Sequence, residues 1–275
     1  MKRSLKALVA LLVASTVAVG ASGCAADKQL TIAFVMGAES DPFFQAMKVG
    51  AEEEAAAQGV KLIWKGDASH YDVATQLPIL DNVIAQKPDG IVLIPTDPDG
   101  LQASMDRAIE SGIAVANVDT HVTDLSKVVT FITGDNGDGG AKAAAAIANK
   151  IGYTDGESYQ VVVGLTSATA TTNVARLEGF KEAIASDYPG IEIMDVAYSQ
   201  SNPQTAASNV DNWLTKYPDL DGIFAIDGTN ASGAAAALQA KGLVGQIALV
   251  GYDAYPANVD PVSYTHLTLP TNREV

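Results

Sequence analysis

The chain has a single cysteine, Cys24, among its 275 residues, so no disulfide can form within it. Histidine is nearly as scarce. His70, His121 and His266 stand far apart in the sequence, which removes metal-ligand spacing and any cysteine–histidine pair for nucleophilic work. A Gly-x-Ser-x-Gly elbow is missing, and so is a helix-turn-helix pattern. Catalysis therefore has no visible equipment, and neither a cofactor nor a metal is expected. Positive charge is the next shortage: 17 basic residues face 32 acidic ones, a net charge of −15. That balance argues against nucleic acid or an anionic membrane surface as partner, and otherwise keeps a chain in solution. Apolar residues are plentiful at 48%, enough for one large domain or two lobes with a real core.

Both ends differ from the middle. Lys2, Arg3 and Lys6 precede an apolar run, Ala7 to Val19, too short to span a membrane comfortably, and Ala21-Ser22-Gly23 leads into Cys24. Residues 1–23 resemble a bacterial lipoprotein signal, whose cysteine becomes the lipid-modified first residue of the mature protein. Ala21 stands where that signal usually has a branched residue, and an ordinary secretory signal with an incidental cysteine is the alternative. Acylation of Cys24 implies an extracytoplasmic chain held on the membrane, since buried methylenes contribute about 0.8 kcal/mol each and more than one acyl chain is needed for stable attachment. Removing the signal leaves 14 basic against 32 acidic residues, a balance of −18. At the other end, Val262 to Val275 breaks the pattern before it. Its first ten residues can be written in codons as GTC TCT TAT ACA CAT CTG ACG CTG CCG ACG, which resembles a transposase-type sequencing-library adapter read in frame. Native sequence is accordingly expected to stop near Pro261, a genuine polar tail being the alternative.

Between the ends, short runs rich in Val and Ile alternate with helical patterns. Strands are expected at 30–36, 60–64, 90–95, 114–119, 128–132, 160–165, 191–198, 222–226 and 247–252. Helices are expected at 43–57, 72–85, 101–110, 137–151, 173–185, 203–216 and 231–241. Continuous apolar strands alternating with helices give an α/β class, with parallel sheets covered on both faces. The chain also repeats itself: Gly50 is answered by Gly179, Gly90 by Gly222 and Asp119 by Asp253, at offsets of 129, 132 and 134. Two copies of one βα lobe follow, an N-terminal lobe over 28–119 and a C-terminal lobe over 124–253, with 254–261 starting a further crossover.

In open parallel sheets, ligands bind beyond the carboxyl ends of the strands. Those places hold Asp41, Phe43 and Phe44 after the first strand and Asp119 after the fourth; the second lobe puts Arg176, Asp227 and Asp253 there. Asp41 before Pro42 is a good helix start, so capping competes with ligand contact as its role. Adjacent helical positions point about 100° apart, so a core that accepts one phenylalanine ring cannot easily take its neighbour. The second ring is free to offer a flat apolar face to the C–H side of a sugar, worth about 0.5–1.5 kcal/mol beyond area burial. Asp119, Asp227 and Asp253 can accept hydrogen bonds from hydroxyls and Arg176 can donate several, although strand-end aspartates also cap loops. Thr133–Ala143, "TGDNGDGGAKA", lacks the lysine and hydroxyl of a phosphate loop and reads as a turn into a helix; "DPDG" at Asp97 and "DLDG" at Asp219 carry too few ligands for calcium.

Taken in order and spacing, Asp41-Pro42-Phe43-Phe44, Val118-Asp119, Arg176 with Glu178-Gly179-Phe180, Phe224-Ala225 and Val250-Gly251-Tyr252-Asp253 resemble the periplasmic sugar-binding proteins of the ribose-binding type. The resemblance covers about Lys28 to Asp260. It implies a two-lobe periplasmic-binding-protein type I fold with three crossovers and hinge closure. It also implies a monomeric substrate-binding component of an ABC importer that delivers a sugar or polyol to a permease. By the same resemblance, Asp41, Phe43, Phe44, Asp119, Arg176, Asp227 and Asp253 contact the ligand. Three positions depart from the ribose type, which has Asn at Asp41, Arg at Thr120 and Asn at Asp227, so the ligand is expected to be another sugar, a sugar alcohol or an autoinducer-like polyol. A further family contact, a glutamine in the third crossover, would lie beyond Pro261. The effector domain of a sugar-responsive repressor, a sensor-coupled receptor and an unrecognised α/β enzyme are the competing readings.

Overall fold

The computed structural model describes residues 28–255. The expected signal, Cys24, the tail at 262–275 and most of 254–261 lie outside them. In chain order the elements are β1 (Thr31–Ala38), α1 (Pro42–Gln58), β2 (Lys61–Asp67), α2 (Val73–Ala85), β3 (Gly90–Leu93), α3 (Gln102–Glu110), β4 (Ala114–Val118) and β5 (Thr130–Ile132). They continue as α4 (Asn136–Ile151), β6 (Tyr159–Leu165), α5 (Thr171–Asp187), β7 (Ile191–Tyr198), α6 (Pro203–Lys216), β8 (Gly222–Ala225), α7 (Gly228–Ala240) and β9 (Ala248–Gly251).

Two parallel sheets result, ordered β2-β1-β3-β4-β5 and β7-β6-β8-β9. Strand periodicity explains why each is covered on both faces. Ala33 and Val35 point to one side with Leu80, Val83 and Met105 of α2 and α3, while Phe34 and Met36 point to the other with Phe44 of α1. The second sheet divides likewise, Val161, Val163 and Leu165 facing α4 and α5, and Val162, Ile223 and Leu249 facing α6 and α7. The class is α/β.

Four strands of the first sheet and the four of the second share one order, as a duplicated unit requires. The match extends to side chains. Asp89, just before β3, accepts the Thr31 N–H at 2.8 Å, and Asp221, just before β8, accepts the Gln160 N–H at 2.7 Å. Each satisfies a backbone donor in the first two residues of the neighbouring strand. One boundary needs correcting. The expected start of the second lobe at Asp124 assigns the strand near 128–132 to that lobe, whereas β5 pairs in parallel with β4 and closes the edge of the first sheet. A three-residue strand offers too little periodicity to reveal its partner, and the repeat has no copy of it.

Glycine decides how closely α4 and α5 approach. A methyl group on Gly140 would overlap the Arg176 carbonyl, and one on Gly179 would overlap the Gly137 carbonyl. Backbone atoms cannot swing aside as a side-chain end can. Gly179→Ala should therefore destabilise the chain by about 1–3 kcal/mol or more, read as a fall in the urea midpoint.

Candidate functional site

Each sheet has a switch point where connections leave in opposite directions, between β1 and β3 and between β6 and β8. The carboxyl ends of both face one cleft. Asp41, Phe43, Phe44, Asp119, Arg176, Asp227 and Asp253 all line it.

Asp41 caps α1: its Oδ1 accepts the Phe43 N–H at 3.0 Å, and Pro42 takes the first helical position. The same carboxylate accepts the Thr229 hydroxyl at 3.0 Å and the Tyr255 hydroxyl at 2.5 Å. The two adjacent rings divide as their spacing predicts. Phe44 is buried and lies parallel to Tyr71 at 6.5 Å, whereas Phe43 is half-exposed and meets Phe44 edge-on at 5.4 Å. Both reach the cleft.

Arg176 is buried and pinned on three sides. Its Nε donates to Asn136 Oδ1 at 2.9 Å, its Nη1 donates to the Ile226 carbonyl at 3.0 Å, and the guanidinium carbon stands 3.8 Å from the centre of the Tyr252 ring. Its other N–H groups donate no hydrogen bond among the described residues, and the side chain lines the cleft. Asp227 caps α7 through the Asn230 N–H at 2.8 Å and accepts from Thr166 Oγ1 and Asn230 Nδ2, both at 2.7 Å. One oxygen of Asp253 accepts the Gly228 N–H at 3.0 Å, and the Asp119 carboxylate takes no hydrogen bond among the described residues. Asp119 and Asp253 also share left-handed backbone, with φ of 63° and 65°. For a non-glycine residue that conformation is strained, and such strain concentrates at functional sites.

A family model described as "Periplasmic binding protein domain" matches residues 32–262. The chain belongs to this periplasmic binding protein family. Among relatives, a D-ribose/D-allose-binding protein of Pseudomonas aeruginosa is 27% identical over 259 residues, covering 92% of this chain and 79% of the relative. A D-allose-binding periplasmic protein of Escherichia coli is 31% identical over 240 residues, covering 82% and 73%. Among solved structures, an ABC transporter solute binding protein from Agrobacterium vitis bound with alpha-D-tagatopyranose superposes with a TM-score of 0.79 at 32% identity, covering 86% of this chain and 80% of that one.

Several residues of this periplasmic binding protein reach the cleft without having been singled out in the sequence. Tyr71 follows β2 and Ser201 follows β7, so the carboxyl-end rule applied to every strand would have found both. Tyr255 lies two residues past Asp253. Thr120, where the ribose type has arginine, turns inward and donates to the Pro95 carbonyl at 2.7 Å. Arg176 is thus the one cation lining the cleft among the described residues, against four carboxylates.

That imbalance shows in proton affinity. Burial raises the pKa values of Asp119 and Asp253, with Arg176 pulling each back down. Asp227 lies away from that cation's relief and is pushed by burial up to about 6, against its own hydrogen bonds from Asn230 and Thr166. A carboxyl that holds its proton more tightly folded than unfolded stabilises the fold most below its unfolded value of 3.8, and loses that contribution as the pH rises through 6. The loss is on the order of 3 kcal/mol. Asp227→Asn keeps a capping oxygen and removes the titration, so it should gain on the parent between pH 4 and pH 7 in urea unfolding.

Proposed function

We propose that this chain is the extracytoplasmic substrate-binding component of an ABC importer, capturing a sugar or sugar-like polyol between its lobes and delivering it to a permease. The observation that carries the reading is the convergence in one cleft of two aromatic rings, a carboxylate at Asp119 that takes no hydrogen bond among the described residues, and a pinned guanidinium at Arg176. The names of the relatives support it: a D-ribose/D-allose-binding protein, a D-allose-binding periplasmic protein, and a structure bound with alpha-D-tagatopyranose.

Each residue has a role that its chemistry fits. Phe43 and Phe44 offer apolar surface to the C–H face of the ring. Asp119 and the second oxygen of Asp253 accept from hydroxyls, and Arg176 donates to a ring or hydroxyl oxygen. Asp41 and Asp227 each already accept three hydrogen bonds, so each has room for about one more. The guest touches both lobes, so binding favours their closed arrangement, which is the state a permease would read. The chain acts as a monomer, without turnover, held at the membrane through lipid on Cys24.

A thermal-shift screen of pentoses, hexoses and polyols tests the reading. A true ligand at a hundred times its Kd stabilises by about 2.7 kcal/mol and should raise the melting temperature by roughly 5–11 °C. Hydrogen bonds to charged groups carry about 1.5–3 kcal/mol, so Arg176→Ala should weaken binding of that ligand more than tenfold by calorimetry. Unchanged affinity would remove Arg176 from the site, and no shift with any sugar or polyol would defeat the reading.

A further inference from the structure

Tyr71 stands between β2 and α2, buried, and lines the cleft beside Phe44, whose ring lies parallel to its own. The segment that carries it is fixed at both ends. Asp67 Oδ1 accepts the Ser69 N–H at 3.0 Å and the His70 N–H at 2.8 Å, and Asp72 caps α2 through the Ala74 N–H at 2.6 Å. Just past β1, the Glu39 and Ser40 N–H groups donate to the Asp67 and Ala68 carbonyls at 2.6 and 3.0 Å, which ties the same segment to the first strand. Glycine then makes room for the ring. A methyl group on Gly37, within β1, would overlap the Tyr71 ring, so bare backbone there lets the phenol reach the cleft.

A ring that only filled the wall beside Phe44 would need no hydroxyl, and a buried hydroxyl without partners costs free energy. On the protein side its hydrogen-bonding neighbour is Thr120. The Thr120 hydroxyl has one hydrogen and gives it to the Pro95 carbonyl at 2.7 Å, so toward Tyr71 it can only accept. Tyr71 therefore donates to Thr120, and what its oxygen can offer the cleft is a lone pair. We infer that Tyr71 is a further ligand-contacting residue whose oxygen accepts a hydrogen bond from one hydroxyl of the guest, and that Thr120 is the positioning residue that sets the direction of that bond. The inference rests on the sugar-binding reading. Burial above all, and next the Asp119 carboxylate, raise the pKa of the phenol, so it keeps the proton that it gives to Thr120. Each bond in the run from guest to Tyr71, Thr120 and the Pro95 carbonyl polarises the next. Specificity follows from the direction: a guest position that lacks a hydrogen to donate, whether deoxy or methylated, leaves Tyr71 without its partner.

Calorimetry on the full chain tests this, with D-ribose, D-allose, D-tagatose and xylitol as probes. Tyr71→Phe keeps the ring against Phe44 and removes only the hydroxyl; it should weaken the probe that binds the parent by about threefold to tenfold. One monodeoxy or O-methyl form of that probe should bind the parent and Tyr71→Phe equally, which a merely structural loss would not produce. Thr120→Val should weaken binding to the parent and add nothing in the Tyr71→Phe background, because the bond it orients is already gone. Tyr198→Phe, on an exposed side chain, should change nothing. Should Thr120→Val misfold, Tyr71→Phe and the deoxy series decide. Unchanged affinity in Tyr71→Phe, or a loss equal across every deoxy form, would overturn the inference and leave the sugar-binding reading in place, since the parent still binds. A parent blind to all four probes and to the wider screen would mark the failure of that reading itself, and this inference would fall with it.

Discussion

The cleft depends on one buried cation held where it cannot turn away. Arg176 sits among Asp41, Asp119, Asp227 and Asp253, and the pull it exerts on Asp119 and Asp253 opposes the burial that raises their pKa values. Its position is set by backbone. The helix that carries it approaches α4 as closely as Gly140 and Gly179 allow, and Asn136, the Ile226 carbonyl and the Tyr252 ring then fix the guanidinium from three directions. Lysine could not reproduce this, because a single ammonium lacks a planar fork that can stack and donate at two edges together.

Much of the fold is readable in the sequence because both sheets are covered on two faces. That forces near-continuous Val and Ile runs of strand length, set between helices whose starts carry visible signals such as Asp41-Pro42 and Asn202-Pro203. Once the strands are placed, the carboxyl-end rule brings Asp119, Arg176, Asp227 and Asp253 to one side. What stayed hidden has physical causes. β5 has three residues and depends on pairing with β4, a nonlocal fact. Thr229 and Tyr255 matter through contacts with Asp41 at separations of 188 and 214 residues, and nothing local in either stretch marks them. Thr120 reads as a lost ligand contact, whereas in the fold its hydroxyl donates to the Pro95 carbonyl, 25 residues away in the chain.

The two copies of the lobe agree where backbone geometry is demanding. Asp119 and Asp253 leave corresponding strands in the same left-handed conformation, which costs roughly 1–2 kcal/mol at a non-glycine residue. Glycine would relieve the strain. Aspartate stands at both places, and in both the carboxylate lines the cleft. Asp89 and Asp221 show the contrasting case, a pair retained for closing a strand start.

The crossover between the lobes belongs to the same argument. The Thr133 hydroxyl donates to the Asp119 carbonyl at 2.8 Å, Asn136 Nδ2 donates to Thr133 Oγ1 at 3.2 Å, and Asn136 Oδ1 accepts from Arg176 at 2.9 Å. A strand end of the first lobe, the connecting segment and the cation of the second are thus joined by successive hydrogen bonds. Rotation about Thr133–Asp135 cannot leave both Asp119 and Arg176 undisturbed, because the segment that must bend is bonded to each. The geometry that would recognise a guest and the geometry that would move the lobes are therefore set by the same few polar atoms, and a change in either is felt by the other.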